Sequence, residues 1–161
     1  METTNLFITH EEFGLETFQV ADARCNLYKG REGIWEFVLR VRTSKPINRP
    51  KELEKLVYAE PHLVGAAILS LDDTTLKDGL VIVQAKGYDE SRGENLSVLY
   101  YFEHNSIEDL RVELVNVTET WIDATVTGSA VVNGSNGIDP DARLSVRSRF
   151  IRDSNLRRSF T

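Results

Sequence analysis

The chain has 161 residues, 41% of them apolar and 27% charged, and a formal net charge of −6. That length and balance suit one globular domain with a real core and exclude wholesale disorder. A single cysteine, Cys25, excludes an intrachain disulfide, and the acidic balance speaks against a chain built to hold phosphate backbones.

Residues 1–14 show no clean period and read as a loosely ordered N-terminus. METTNLFITHEEF has neither a basic start nor an apolar core. The longest apolar run, 63–69, is far too short for a membrane span, so the expectation is a soluble, cytoplasmic protein. A single β-rich domain over 15–152 follows. Alternation is imperfect over 15–20 and 23–29, where Ala23, Cys25 and Leu27 share a side, making Cys25 a buried strand thiol. Gly30 and Gly33 mark a hairpin loop. Over 34–42 the alternation is clean: Trp35, Phe37, Leu39 and Val41 fall on one face, Glu36, Arg40 and Arg42 on the other.

The exception is NRPKELEKLVYAEP. Pro50 suits a first helical turn, Leu53, Leu56 and Val57 make an apolar stripe, and Pro61 ends it. The spacing predicts one short helix over about residues 50–60, packed on the sheet. LVGAAILSL (63–71) is apolar on both faces and reads as a central strand whose small residues admit that helix. LVIVQAKG (80–87) and LSVLYYFEH (96–104) read as paired strands, with Leu96, Val98, Tyr100 and Phe102 on one face. LRVELVNV (110–117), TWIDATVTGSAVV (120–132) and RLSVRSRFI (143–151) make a meander. The fold class is mainly β, an antiparallel sandwich or partly closed barrel of about nine strands with that one helix.

Residues 143–161 hold six arginines and one aspartate, a local charge of +5 against −11 for the remainder. Arg143, Arg147 and Arg149 share the wet face of the last strand; Asp123 and Glu113 stand on neighbouring strands to meet them. Arg152, Arg157 and Arg158 lie past the end of the periodicity, the last two in a basic tail over 153–161. Trp121 sits on the polar side of its strand, as an interface residue can. These residues form the candidate interaction surface: Trp121, Asp123, Arg143, Arg147, Arg149, Arg157 and Arg158. The same arginines also fit a merely solvated sheet face.

His10, His62 and His104 lack the spacing of a local metal pair, and no cofactor motif is present. The carboxylate pairs Asp72-Asp73, Asp89-Glu90 and Asp139/Asp141 fall in turns and fit turn chemistry. The functional expectation is a non-catalytic protein-interaction module that binds a protein partner or a second copy of itself. An acidic inhibitor of a basic partner, of the immunity-protein kind, is a version of that role. Neither a membrane nor nucleic acid is expected as partner, since the basic field is narrow. The alternative is a small-molecule-binding β-barrel, with or without catalysis, whose pocket holds Trp35, Tyr100, Phe102 and His104.

Overall fold

Strands with one apolar face must stack or close to keep that face dry. A computed structural model describes residues 4–11, 14–48, 60–101, 103–132 and 142–158. The strands are β1 (Asn5–His10), β2 (Gly14–Lys29), β3 (Trp35–Asn48), β4 (His62–Ile68), β5 (Val81–Gln84), β6 (Tyr88–Asp89), β7 (Glu94–Asn95), β8 (Ser97–Tyr101), β9 (Glu103–Val117), β10 (Trp121–Ala130) and β11 (Ala142–Arg152). Nine of them make one sheet in the order β10-β11-β1-β2-β3-β4-β8-β9-β5, and β6 and β7 make a separate hairpin. Because β9 also pairs with β10, eight strands meet in a ring, with β5 laid along β9 past the end of β8. Pairing is antiparallel throughout, save a two-residue parallel contact of Ile151 and Arg152 with Arg24 and Cys25. The mainly antiparallel β class read from the alternation is what forms.

The inner face is the core. Phe18, Phe37, Phe150, Leu6, Ile8, Leu39, Leu63, Leu99, Ile107, Leu110 and Leu114 are its largest fully buried side chains. Each such burial contributes about 1.5–3 kcal/mol. Phe18 and Tyr101 meet edge to face, with centroids 6.5 Å apart.

Several expectations change. Residues 5–10 are no loose terminus: they are β1, wedged between β2 and β11, with Leu6 and Ile8 wholly buried. The short apolar pair in NLFITH is too brief for its period to register in sequence. β5 pairs with β9, not with β8; β8 takes β4 and β9 as partners instead. Residues 50–59 of the expected helix lie outside the described residues, as does Phe102. The outer side of β3 and β4 is covered by another piece of chain. Leu156, from beyond β11, packs with Val38, Ala66 and Tyr28. The 153–161 segment is thus no free tail over 153–158. Asp153 donates its N–H to the Cys25 carbonyl at 2.9 Å, and the Asn26 amide donates to the Leu156 carbonyl at 2.9 Å. Residues 159–161 lie outside the described residues.

The ring closes over an irregularity in β9. Asp109 has a left-handed φ of 50°, and the β9–β10 register shifts between Thr127 and Ser129. The Asp109 N–H is taken by the Ala85 carbonyl at 2.9 Å, which anchors the bulge to the chain after β5. Two glycines make room. A Cβ on Gly87 would lie 2.3 Å from the Ile107 carbonyl oxygen and 2.6 Å from its nitrogen; one on Gly128 would lie 2.6 Å from the Ile107 Cγ2 methyl. Backbone cannot retreat as a methyl can. Gly87→Ala should therefore cost about 3 kcal/mol in urea unfolding and Gly128→Ala about 1–2 kcal/mol. Equal losses would show that the approach of residue 87 to β9 is not a packing constraint.

Candidate functional site

On the outer face the pairing registers turn the arginine stripe into a surface. β10 and β11 align Asp123 with Arg149, Thr125 with Arg147, and Ser129 with Arg143. β9 brings Glu113 opposite Thr125 and Arg111 opposite Thr127. On the far side of β11, Phe7 stands opposite Ser145 and Thr9 opposite Arg143; Leu15 of β2 then faces Thr9. Phe7 is 41% exposed and Leu15 44%. The face is basic along β11 and apolar beside it.

Its members are not equally available. Arg149 grips Asp123 with both ends of its fork, Nε to Oδ1 at 2.8 Å and Nη2 to Oδ2 at 3.1 Å. Its guanidinium also lies 3.6 Å from the centre of the Trp121 ring, so the indole, expected in open water, is half-buried beneath a cation. The Arg149 hydrogen bonds hold the Asp123 carboxyl below the usual carboxylate range. Arg143 and Arg147 are exposed and have no carboxylate within ion-pair distance among the described residues.

The three arginines past the alternation leave this face altogether. Arg152 bonds Asp73 and the Thr118 carbonyl, both at 2.9 Å. Arg157 stacks over Tyr28 at 4.4 Å. Arg158 is the most enclosed of them: its Nη2 lies 3.0 Å from Glu94 Oε1 and 3.4 Å from Glu36 Oε1, and its N–H donates to the Tyr28 hydroxyl at 3.1 Å. Arg157 and Arg158 thus help fasten the C-terminal segment. No alternation extends that far, so no sequence signal could place them.

Of the expected pocket residues that are described, Trp35, Tyr100 and His104, none points into the ring's buried core. Tyr100 points outward, while its neighbours Leu99 and Tyr101 are buried. The run LYY is aromatic on both sides, so either parity of side chains satisfied the pattern. Trp35 sits half-buried at the rim of the ring, beside an open depression of about 510 Å³ that Leu69, Leu71 and Asp72 also line. Tyr100 and His104 do meet, but outside, with ring centroids 4.7 Å apart, and His62 stacks on the other side of Tyr100 at 4.8 Å. This histidine pairing was not legible, because the two residues lie on different hairpins.

Burial, followed by the charge of Arg42, pushes the His62 imidazole below its ordinary pKa. Burial pushes the Cys25 thiol up to about 12, which leaves it an inert core thiol. Asp72 and Asp89 sit below the usual range because Thr74, Thr75 and Ser91 hydroxyls donate to them, the turn chemistry expected. Among the described residues no cluster of three or more His, Cys, Asp or Glu could hold a metal ion, and no helix is long and apolar enough to cross a membrane. No family model, curated protein or solved structure matches the chain.

The His62 shift has a sign. An imidazole that resists its proton more in the folded chain than in the unfolded one makes folding stronger above its ordinary pKa. That contribution is lost as pH falls through the histidine range, because the unfolded chain takes the proton first. The melting temperature should therefore drop between about pH 7 and pH 5, and His62→Gln should flatten that part of the profile. The depressed carboxylates, Asp123 among them, act only below about pH 4. An unchanged profile in His62→Gln would remove His62 as the cause.

Proposed function

We propose that the protein is a non-catalytic interaction module that docks an acidic protein surface on the outer face of β11 and its neighbours. The observation that carries this reading is the exposure of Arg143 and Arg147 without a carboxylate partner among the described residues, beside half-exposed Phe7 and Leu15. Eight other arginines are matched among the described residues: Arg24, Arg31, Arg40, Arg92, Arg111, Arg149, Arg152 and Arg158 each reach a carboxylate. A second copy of the chain offers a suitable surface in exposed Asp72, Asp73 and Asp78 of the loop between β4 and β5. Apolar side chains beside the cations supply burial, while the charges set orientation and encounter rate. Trp121 and the Arg149–Asp123 pair form a rigid boundary to the face rather than its hot centre. A ligand inside the ring would have to displace Phe18, Phe37 and Phe150, which fill it.

The test is sedimentation and light scattering of the full chain across a salt series, with soluble polyglutamate as a second probe. Association or polyglutamate binding should weaken as salt rises. The Arg143→Glu/Arg147→Glu variant should bind at least tenfold more weakly, about 1.4 kcal/mol or more for the two reversals. A wild type that stays monomeric at low salt and binds polyglutamate no better than the variant would overturn the proposal.

A further inference from the structure

We propose that a second site, on the opposite part of the ring's outer surface, binds a small phosphate-class oxyanion between Arg42 and His62, with Tyr100 backing the His62 ring. The registers of β3, β4, β8 and β9 set Arg42, His62, Tyr100 and His104 side by side in one row. Hydrogen-bonded strands about 4.8 Å apart hold that row without help from loops. His62 lies nearly parallel on Tyr100, at 19° and 4.8 Å, so its ring plane is fixed and its nitrogens lie at an edge. The Thr43 hydroxyl donates to the Pro61 carbonyl, tying the start of β4 to β3 beside the row.

The charge pattern points to an anion. Asp22 stands opposite Arg42 across β2 and β3, but its carboxylate is engaged by Arg24 at 3.0 Å and Arg40 at 3.2 Å. Arg42 is exposed and has no carboxylate within ion-pair distance among the described residues. The groups facing His62 are Arg40 and Arg42 from β3, Tyr100 from β8 and His104 from β9, with exposed Glu60 two residues upstream, before β4 begins. Their balance around the ring is positive, and it disfavours the imidazolium until an anion compensates it. A guanidinium fork takes two oxygens, and the imidazole N–H takes another. A tetrahedral oxyanion has oxygens for both; a carboxylate satisfies the fork alone. The whole row is about 14 Å long, so one phosphate sits at the Arg42–His62 end and His104 adds charge at a distance.

The site is tested on the full chain by NMR of the imidazole resonances, with buried His10 as internal control. Inorganic phosphate is one probe and phenyl phosphate the other, each against sodium chloride of equal ionic strength. Saturating shifts at His62, larger at pH 6 than at pH 7.5, are expected, with the apparent His62 pKa raised by the ligand. Arg42→Gln, a change of an exposed side chain, should weaken binding about tenfold, and Arg143→Gln should leave it unchanged. Tighter binding of phenyl phosphate would identify an aromatic phosphomonoester as the ligand class, and equal binding the free anion. Shifts that chloride reproduces, that never saturate, or that persist in Arg42→Gln would overturn the site.

Discussion

Ring closure is the constraint from which the rest follows. A sheet whose strands carry apolar groups on one face gains most when its ends meet, because closure removes both edges and dries the whole inner face at once. Here the seam is β10, held by β9 on one side and β11 on the other. β9 must serve β8, β5 and β10, and it manages this through the bulge at Asp109, with glycine at positions 87 and 128 where Ile107 comes close. A local strain of the order of 1 kcal/mol at one left-handed residue is small beside the core burial that closure makes possible.

Apolar side chains line the inside, His10 and Glu16 are buried on the same face, and the exposed charges lie outside, where the pairing registers sort them. An arginine that meets a carboxylate in its row or on a diagonal becomes part of the sheet, as Arg149 does with Asp123 and Arg40 with Asp22. Arg143 and Arg147 stand opposite serine and threonine of β10 and stay available, and Arg42 stays available because Asp22, opposite it, is engaged by Arg24 and Arg40.

The segment after β11 adds a second layer over β2, β3 and β4. Leu156 supplies the apolar contact, and Arg158 joins this segment to Glu36 of β3 and Glu94 of β7. Such an enclosed ion pair adds little net stability, since desolvating the charges offsets their attraction. In this seating Arg158 reaches both carboxylates while its N–H donates to the Tyr28 hydroxyl. The same seating withdraws two arginines from the surface on which charge counting would place them.

Alternation is a property of residues two apart, so it survives in the sequence wherever a strand is long and one-sided. That is why β3, β9, β10 and β11 were legible, with Asp123, Arg143, Arg147 and Arg149 on their outer faces, and why the class was legible as antiparallel β. Where the pattern was short, as in β1, or apolar on both sides, as in β8, it left the face undetermined. A one-residue shift of parity then reverses every side chain, and Tyr100 went outward. By itself the sequence determined that the long one-sided segments are strands and which of their side chains share a face. Only the tertiary structure decided that β5 joins β9, that His62 and His104 flank Tyr100, and that Arg158 is enclosed. Those outcomes depend on contacts between residues far apart in the chain, whose energies no local period records.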